Sequence, residues 1–436
     1  MIFIFIFTLV FVIFIINRFV KDPIYKYFYL LMVSGFTIYS GVGIFTEYKN
    51  IEENAYIYLI QFILFIWMFL LGSRLVVKFR IHYFMPNLEM IANSKLVIIM
   101  TAIYIGTFLY KCIFSGVSLG DLFNIENLFI NYKATTFATR VTRNSSVIYS
   151  IITNQIASIT APFFYIYLYN IRKKHVQFVL IYCIPILLSL LADGYLSRNK
   201  IAVYIVFIYL YLVKEEVISK RLARNIALFA IPLMLFMFAV LENVRSGDIS
   251  NTGFFDGIKN LVLSEVEYPK YYDYCVSKSS DISAFNFIIY LFLVVIPSQF
   301  YKIIGLETPN LAYSFTEAVI GLSYGQTNNY YILLPSVLGE AIMLFGKYAA
   351  FIYGLIYGVF STWFLKILKA HDCLYYLMLY FLLDFFRQFR GGSQYVISVW
   401  ETQLIPLIII VAIATSIYKR KGGISNGKSI HYHSDI

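Results

Sequence analysis

Charge is what this 436-residue chain has least of. Asp, Glu, Lys and Arg together make up 14% of it, where soluble domains carry about a quarter. So few charges cannot cover the surface of a large soluble α protein. Cysteine is also scarce: Cys112, Cys183, Cys275 and Cys373 are scattered without CxxC spacing, which indicates neither a disulfide framework nor a zinc site. The chain has no DxD pair and no HExxH motif, so no metal or other cofactor is implied, and its glycines form no P-loop, so an ATP-driven pump is unsupported. It shows no internal repeat, heptad array or low-complexity linker. The first apolar run has no basic stretch before it and no small-residue cleavage site after it, so it reads as a retained span and not as a signal peptide.

What the chain does have is apolar length. Hydrophobic residues make up 60% and aromatic residues 19%, with 39 Tyr and 41 Phe. Such rings suit lipid contact and the two membrane interfaces. Runs long enough to span, or nearly so, lie near 2–17, 27–45, 56–72, 96–114, 147–169, 178–192, 200–213, 225–241, 348–366, 374–388 and 402–418. The fold class expected is all-α, a polytopic transmembrane helical bundle of about 11–12 spans. A further run, 285–301, contains Pro297 and ends in polar residues, and it reads as a re-entrant or interfacial segment.

The formal charge of +11 would suggest nucleic-acid binding in a soluble protein. Here Lys and Arg sit mostly in short loops after the first, third, fifth, seventh, ninth and last runs. That is the pattern of cytoplasmic loops, so no nucleic-acid partner is expected. Placing all these loops inside puts the N-terminus outside and keeps the alternation consistent only if 285–301 does not cross. Residues 1–421 then form a single membrane domain with outward loops at about 115–146 and 242–347. Residues 422–436 form a polar tail expected to be disordered.

The outward elements hold the candidate chemistry. Arg198 lies in DGYLSRNK, Arg245 in LENVRSGD, and Arg387 and Arg390 in FFRQFRGG. Four arginines thus approach one membrane surface from three helix ends. Guanidinium groups grip phosphate bidentately and stay charged at low dielectric, which suits a pyrophosphate; a single arginine there could equally snorkel to headgroups. Glu265, Glu267, Glu307, Glu317 and Glu340 also face outward. Glu340 opens the ninth span in LPSVLGEAIMLFGKY, where it could be a base for a sugar hydroxyl, orient an arginine, cap the helix or pair with Lys347. Gly339, Gly346, Gly354 and Gly358 around it permit close helix approach. The aromatic stretches EYPKYYDY and QTNNYY could stack on sugar rings or anchor at the interface. All five histidines fall on the cytoplasmic side.

In order along the chain, Ser197-Arg198, VRSG at Val244–Gly247, Pro335-Ser336 with Gly339-Glu340 and Phe345-Gly346, and Arg390-Gly391 resemble the pattern of bacterial oligosaccharide repeat-unit polymerases, the Wzy-type O-antigen and capsule polymerases. The resemblance covers roughly 190–400. A glycine-rich stretch usual before the proline is replaced by YGQTNNYYILLPS. The resemblance implies a membrane-embedded, metal-independent glycosyltransferase of the bacterial inner membrane. Its substrates would be undecaprenyl-pyrophosphate-linked oligosaccharides, and its partners membrane lipid and flippase and chain-length regulator proteins. It would move a growing glycan onto a fresh lipid-linked repeat unit, building O-antigen or capsule. The charges read from the residues themselves fit that chemistry, with Glu340 catalytic and Arg198, Arg245, Arg387 and Arg390 on the pyrophosphate. The alternatives are an O-antigen ligase-like transfer, disfavoured by the lack of an outward histidine, and a lipid-linked oligosaccharide flippase, disfavoured by the lack of repeats.

Overall fold

The protein is described by a computed structural model covering residues 1–48, 53–78, 88–115, 147–193, 198–246, 254–279, 283–293, 311–321 and 333–421. Among these residues every regular element is a helix, as lipid demands of a chain that must satisfy its own backbone hydrogen bonds. In order they are α1 (Ile2–Phe19), α2 (Pro23–Glu47), α3 (Glu53–Lys78), α4 (Lys95–Phe114), α5 (Ile151–Asn170), α6 (His175–Ala192), α7 (Arg198–Lys214), α8 (Lys220–Ser246), α9 (Phe254–Val266), α10 (Ala284–Leu293), α11 (Leu311–Ile320), α12 (Ser336–Phe345), α13 (Phe351–Lys369), α14 (Tyr375–Asp384), α15 (Phe386–Gly391) and α16 (Val396–Ile417). Eight of them, α1 to α6, α13 and α16, are long and apolar enough to cross a membrane. The protein is thus a multi-pass helical membrane protein.

These eight fall on eight of the eleven expected runs. The run 200–213 is α7, and 225–241 lies inside α8. The run 374–388 is not one helix: α14 stops at Asp384, Phe385 turns the chain, and α15 follows. Of the run 285–301, α10 covers the first part; the rest, with Pro297, lies outside the described residues, as do the 116–146 segment, Glu307, the QTNNYY stretch and the 422–436 tail.

Local chemistry sets the ends. Asp22 caps α2 by accepting from the backbone N–H of Ile24 (2.9 Å) and Tyr25 (3.4 Å), with Pro23 in the first turn. Large apolar side chains left uncovered, such as Phe3 and Phe7 of α1, would meet water in a soluble protein; here they suit hydrocarbon. The bundle's tightest seam joins α3 to α13. A Cβ on Gly354 would lie 2.6 Å from the Phe65 carbonyl oxygen, and one on Gly72 or Gly358 would overlap the carbonyl of Leu355 or Phe69. Gly354 and Gly358 are spaced as in the small-xxx-small pattern of packed membrane helices. Gly346 does something else: at φ +75° it ends α12, with nothing within 4 Å of an added Cβ.

The basic turns gather at one end. Lys369 at the end of α13 pairs with Asp22 before α2. Lys173 after α5 pairs with Glu215 after α7 at 3.0 Å, and Glu215 accepts from the Tyr376 hydroxyl at 2.9 Å. Lys366 donates to the Val76 carbonyl at the end of α3 (2.9 Å). The loops expected to share one membrane side therefore touch one another.

Candidate functional site

At the opposite end, α2 is widened by a π-turn over Thr37–Gly41, a feature often found at functional places in helices. The widening presents Tyr39 and lets the last turn of α9 lie directly on the backbone, where a Cβ on Gly43 would strike the Val266 carbonyl. After α9 the chain makes a tight turn, Tyr268–Tyr271, and a short helix, Tyr272–Ser277. Asp273 fastens this stretch to α2 and α3 by accepting from the Tyr58 hydroxyl (2.5 Å), the Tyr48 hydroxyl (3.0 Å) and the Asn54 amide (3.2 Å). Tyr272 is fully buried and donates to the Ser40 carbonyl at 2.9 Å. This tyrosine is thus neither an interfacial anchor nor a sugar platform.

Arg390 enters this frame from α15. Its guanidinium lies 5.7 Å from the centre of the Tyr268 ring, and its Nη1 is 3.7 Å from Glu265 Oε1. Tyr39 stands beside the same carboxylate. Burial alone would push the guanidinium pKa down. Tyr268, Glu265 and Tyr39 push it up further, so the group stays charged. The Tyr268 phenol is pushed up by burial and stays a neutral donor. Arg390 Nε and Glu265 Oε2 are buried, and neither has a hydrogen-bond partner among the described residues. A cavity of about 130 Å³ opens beside Arg390, lined also by Ser264, Glu267, Tyr268, Lys270, Tyr271, Leu333 and Leu334. Across it Lys270 pairs with Glu267 at 2.5 Å. A charged arginine paired with Glu265, a lysine paired with Glu267 and two phenolic rings thus stand around a small cavity.

The structure brings together only part of the expected set. Arg198 opens α7, Arg245 lies in the last turn of α8 and Arg387 in α15, but the side chains of all three lie outside the described residues. Their helices do approach the site: α7 packs on α14, and α8 packs on α9, which carries Glu265. Glu317 is exposed on α11. Sequence reasoning missed Tyr39, which looks like one more aromatic of a spanning helix; its only signal was Gly35, Gly41 and Gly43 around it.

Glu340 is not at the cavity. It is 3% exposed inside α12, and Lys347 lies instead over the Tyr348 ring. Its carboxylate accepts from the Tyr353 hydroxyl, from the Ser393 backbone N–H (2.9 Å) and from Ser393 Oγ (2.5 Å). Gly392 between them has φ +89°, and an added Cβ would overlap Glu340 Oε2. Of the roles open at the sequence level, geometry favours orientation: Glu340 holds the turn immediately after Arg390. Glu340→Gln would place an NH₂ donor among donors. It is expected to cost roughly 1–3 kcal/mol of stability and to lower membrane abundance together with activity. Normal abundance with normal activity would dissolve the proposed anchor.

Compared with protein-family models, with curated proteins and with solved structures, the chain matches none.

Proposed function

We propose that this protein polymerises undecaprenyl-pyrophosphate-linked oligosaccharide repeat units into a surface polysaccharide at the outer face of the bacterial inner membrane. The observation that carries this reading is Arg390, charged beside Tyr268 and Glu265, with an unbonded Nε, at the bundle end away from the basic turns. The leaving pyrophosphate gains negative charge as the glycosidic bond breaks, and a fixed guanidinium stabilises that charge more than it stabilises the bound substrate. Arg198, Arg245 and Arg387 are assigned to the same anion on the strength of the sequence motifs. Glu265, the carboxylate beside Arg390, replaces Glu340 as the candidate base for the acceptor hydroxyl.

The deciding experiment is a gel of surface polysaccharide from a strain lacking the chain. A ladder collapsed to a single repeat unit supports polymerisation. Loss of all attached glycan points to a ligase or a flippase.

The proposed orientation is tested with single cysteines in a background without the native ones. An impermeant maleimide added to intact cells is expected to label Tyr274→Cys, exposed beside the site, and to miss Lys173→Cys among the basic turns. The reverse pattern would place the site in the cytoplasm, where repeat units are assembled and not joined.

A further inference from the structure

A cleft of about 650 Å³ opens between the first half of α2, α7 and α14. Phe28 and Leu31 of α2, Val206 and Leu210 of α7, and Met378 and Leu383 of α14 are among its walls, and no charged side chain lines it among the described residues. Helix packing leaves few voids larger than a water molecule, and an apolar cavity of roughly 150 Å³ already takes up benzene. An apolar cleft several times that size has room for a hydrocarbon chain.

Two of the three walls run on to the candidate site. α14 passes through the turn at Phe385 into α15, and Arg390 follows Leu383 by seven residues. In α2, Tyr39 follows Leu31 by eight residues, roughly 12 Å. The third wall, α7, begins at Arg198, four residues before the lining residue Ala202. A molecule with an anionic head at Arg390 and an apolar body between α2 and α14 would occupy both places at once.

We infer that this cleft receives the isoprenoid chain of a polyisoprenyl pyrophosphate whose head sits at Arg390. The inference rests on the reading of the site as a lipid-pyrophosphate site. Charge complementarity favours this occupant: Arg390, though paired with Glu265 at 3.7 Å, keeps a buried Nε without a partner among the described residues, whereas at the other end Lys369 is paired with Asp22. The competing occupant is an acyl chain of an anionic phospholipid with its headgroup near Lys214, which lies over the ring of the lining residue Tyr375.

The test uses the full-length protein in phosphatidylcholine nanodiscs, irradiated with a benzophenone-tagged polyisoprenyl phosphate, and maps the labelled peptides. Labelling of α7 and α14 is expected. Excess untagged polyisoprenyl pyrophosphate should suppress it, and an equal amount of phosphatidylglycerol should not. Val206→Trp and Met378→Trp, which fill the cleft, should each lower the labelling about tenfold or more. Ile205→Trp, on the exposed side of the same helix, should leave it unchanged. If Val206→Trp does not accumulate, Met378→Trp alone carries the comparison. Equal suppression by phosphatidylglycerol, or labelling indifferent to both fillers, overturns the inference. Labelling that follows expectation in a chain that extends no glycan would reject the polymerase reading and keep the cleft. Glycan extension undiminished in a folded filler variant would reject the cleft and keep the polymerase.

Discussion

Arg390→Ala is expected to abolish glycan chain extension, and Arg390→Lys to impair it strongly, both at near-normal membrane abundance. The guanidinium lies 5.7 Å from the centre of the Tyr268 ring, within cation–π range, and 3.7 Å from Glu265. A lysine ammonium keeps the charge but loses the planar fork and the stacking surface. Removing a charged contact from a partly dry site costs roughly 2–5 kcal/mol, or about thirtyfold and more in rate. An arginine that merely reaches for headgroups would tolerate lysine. Glu265→Gln should also slow extension, and the double variant should lose less than the sum of the two, because the residues share one ion pair. The measurements are glycan length on gels and protein level on blots. Parental chain lengths in Arg390→Lys would remove this residue from the chemistry.

Gly358→Val is expected to prevent stable folding. A side chain there would overlap the Phe69 carbonyl, and it would push α13 off α3 along the whole seam. Separating the helices would also weaken the bond from Ser73 Oγ to the Gly358 carbonyl (3.3 Å) and the one from Lys366 to Val76. Overpacking a well-fitted interior costs roughly 1–3 kcal/mol and sometimes more, and here the obstacle is backbone, which cannot swing aside as a side chain can. Gly106→Val supplies the control. It sits in α4, where an added Cβ would find nothing within 4 Å, and it should accumulate normally. Thermal unfolding in detergent separates the two: a large drop in midpoint for Gly358→Val beside no change for Gly106→Val. Equal midpoints would show that the seam does not hold the bundle together.

The basic residues illustrate how far a linear reading reaches. Lys173, Lys366 and Lys369 were grouped on one membrane side only because they follow alternate apolar runs, and in the fold they pair or bond with residues of other turns at that same end. The arginines show where it stops. Arg390 was legible as a candidate from its place after an apolar run, but the partners that give it a defined geometry, Tyr39, Glu265 and Tyr268, come from two distant segments. Tyr39 carried no distinguishing mark in a chain with 39 tyrosines.

By itself the sequence determined the class of the protein, the positions of most of its helices and the gathering of its basic turns, because those follow from terms local to each segment. An apolar run of sufficient length must close its own hydrogen bonds in lipid, and Lys and Arg placement sets which loops share a side. Only the tertiary structure showed what surrounds Glu340. Whether a buried carboxylate is a base or an anchor depends on which donors occupy its oxygens, and here one of them, Ser393, lies 53 residues away. The break between α14 and α15 and the cleft between α2, α7 and α14 were likewise decided by how helices from both halves of the chain meet, because a cavity belongs to the packing and to no single segment.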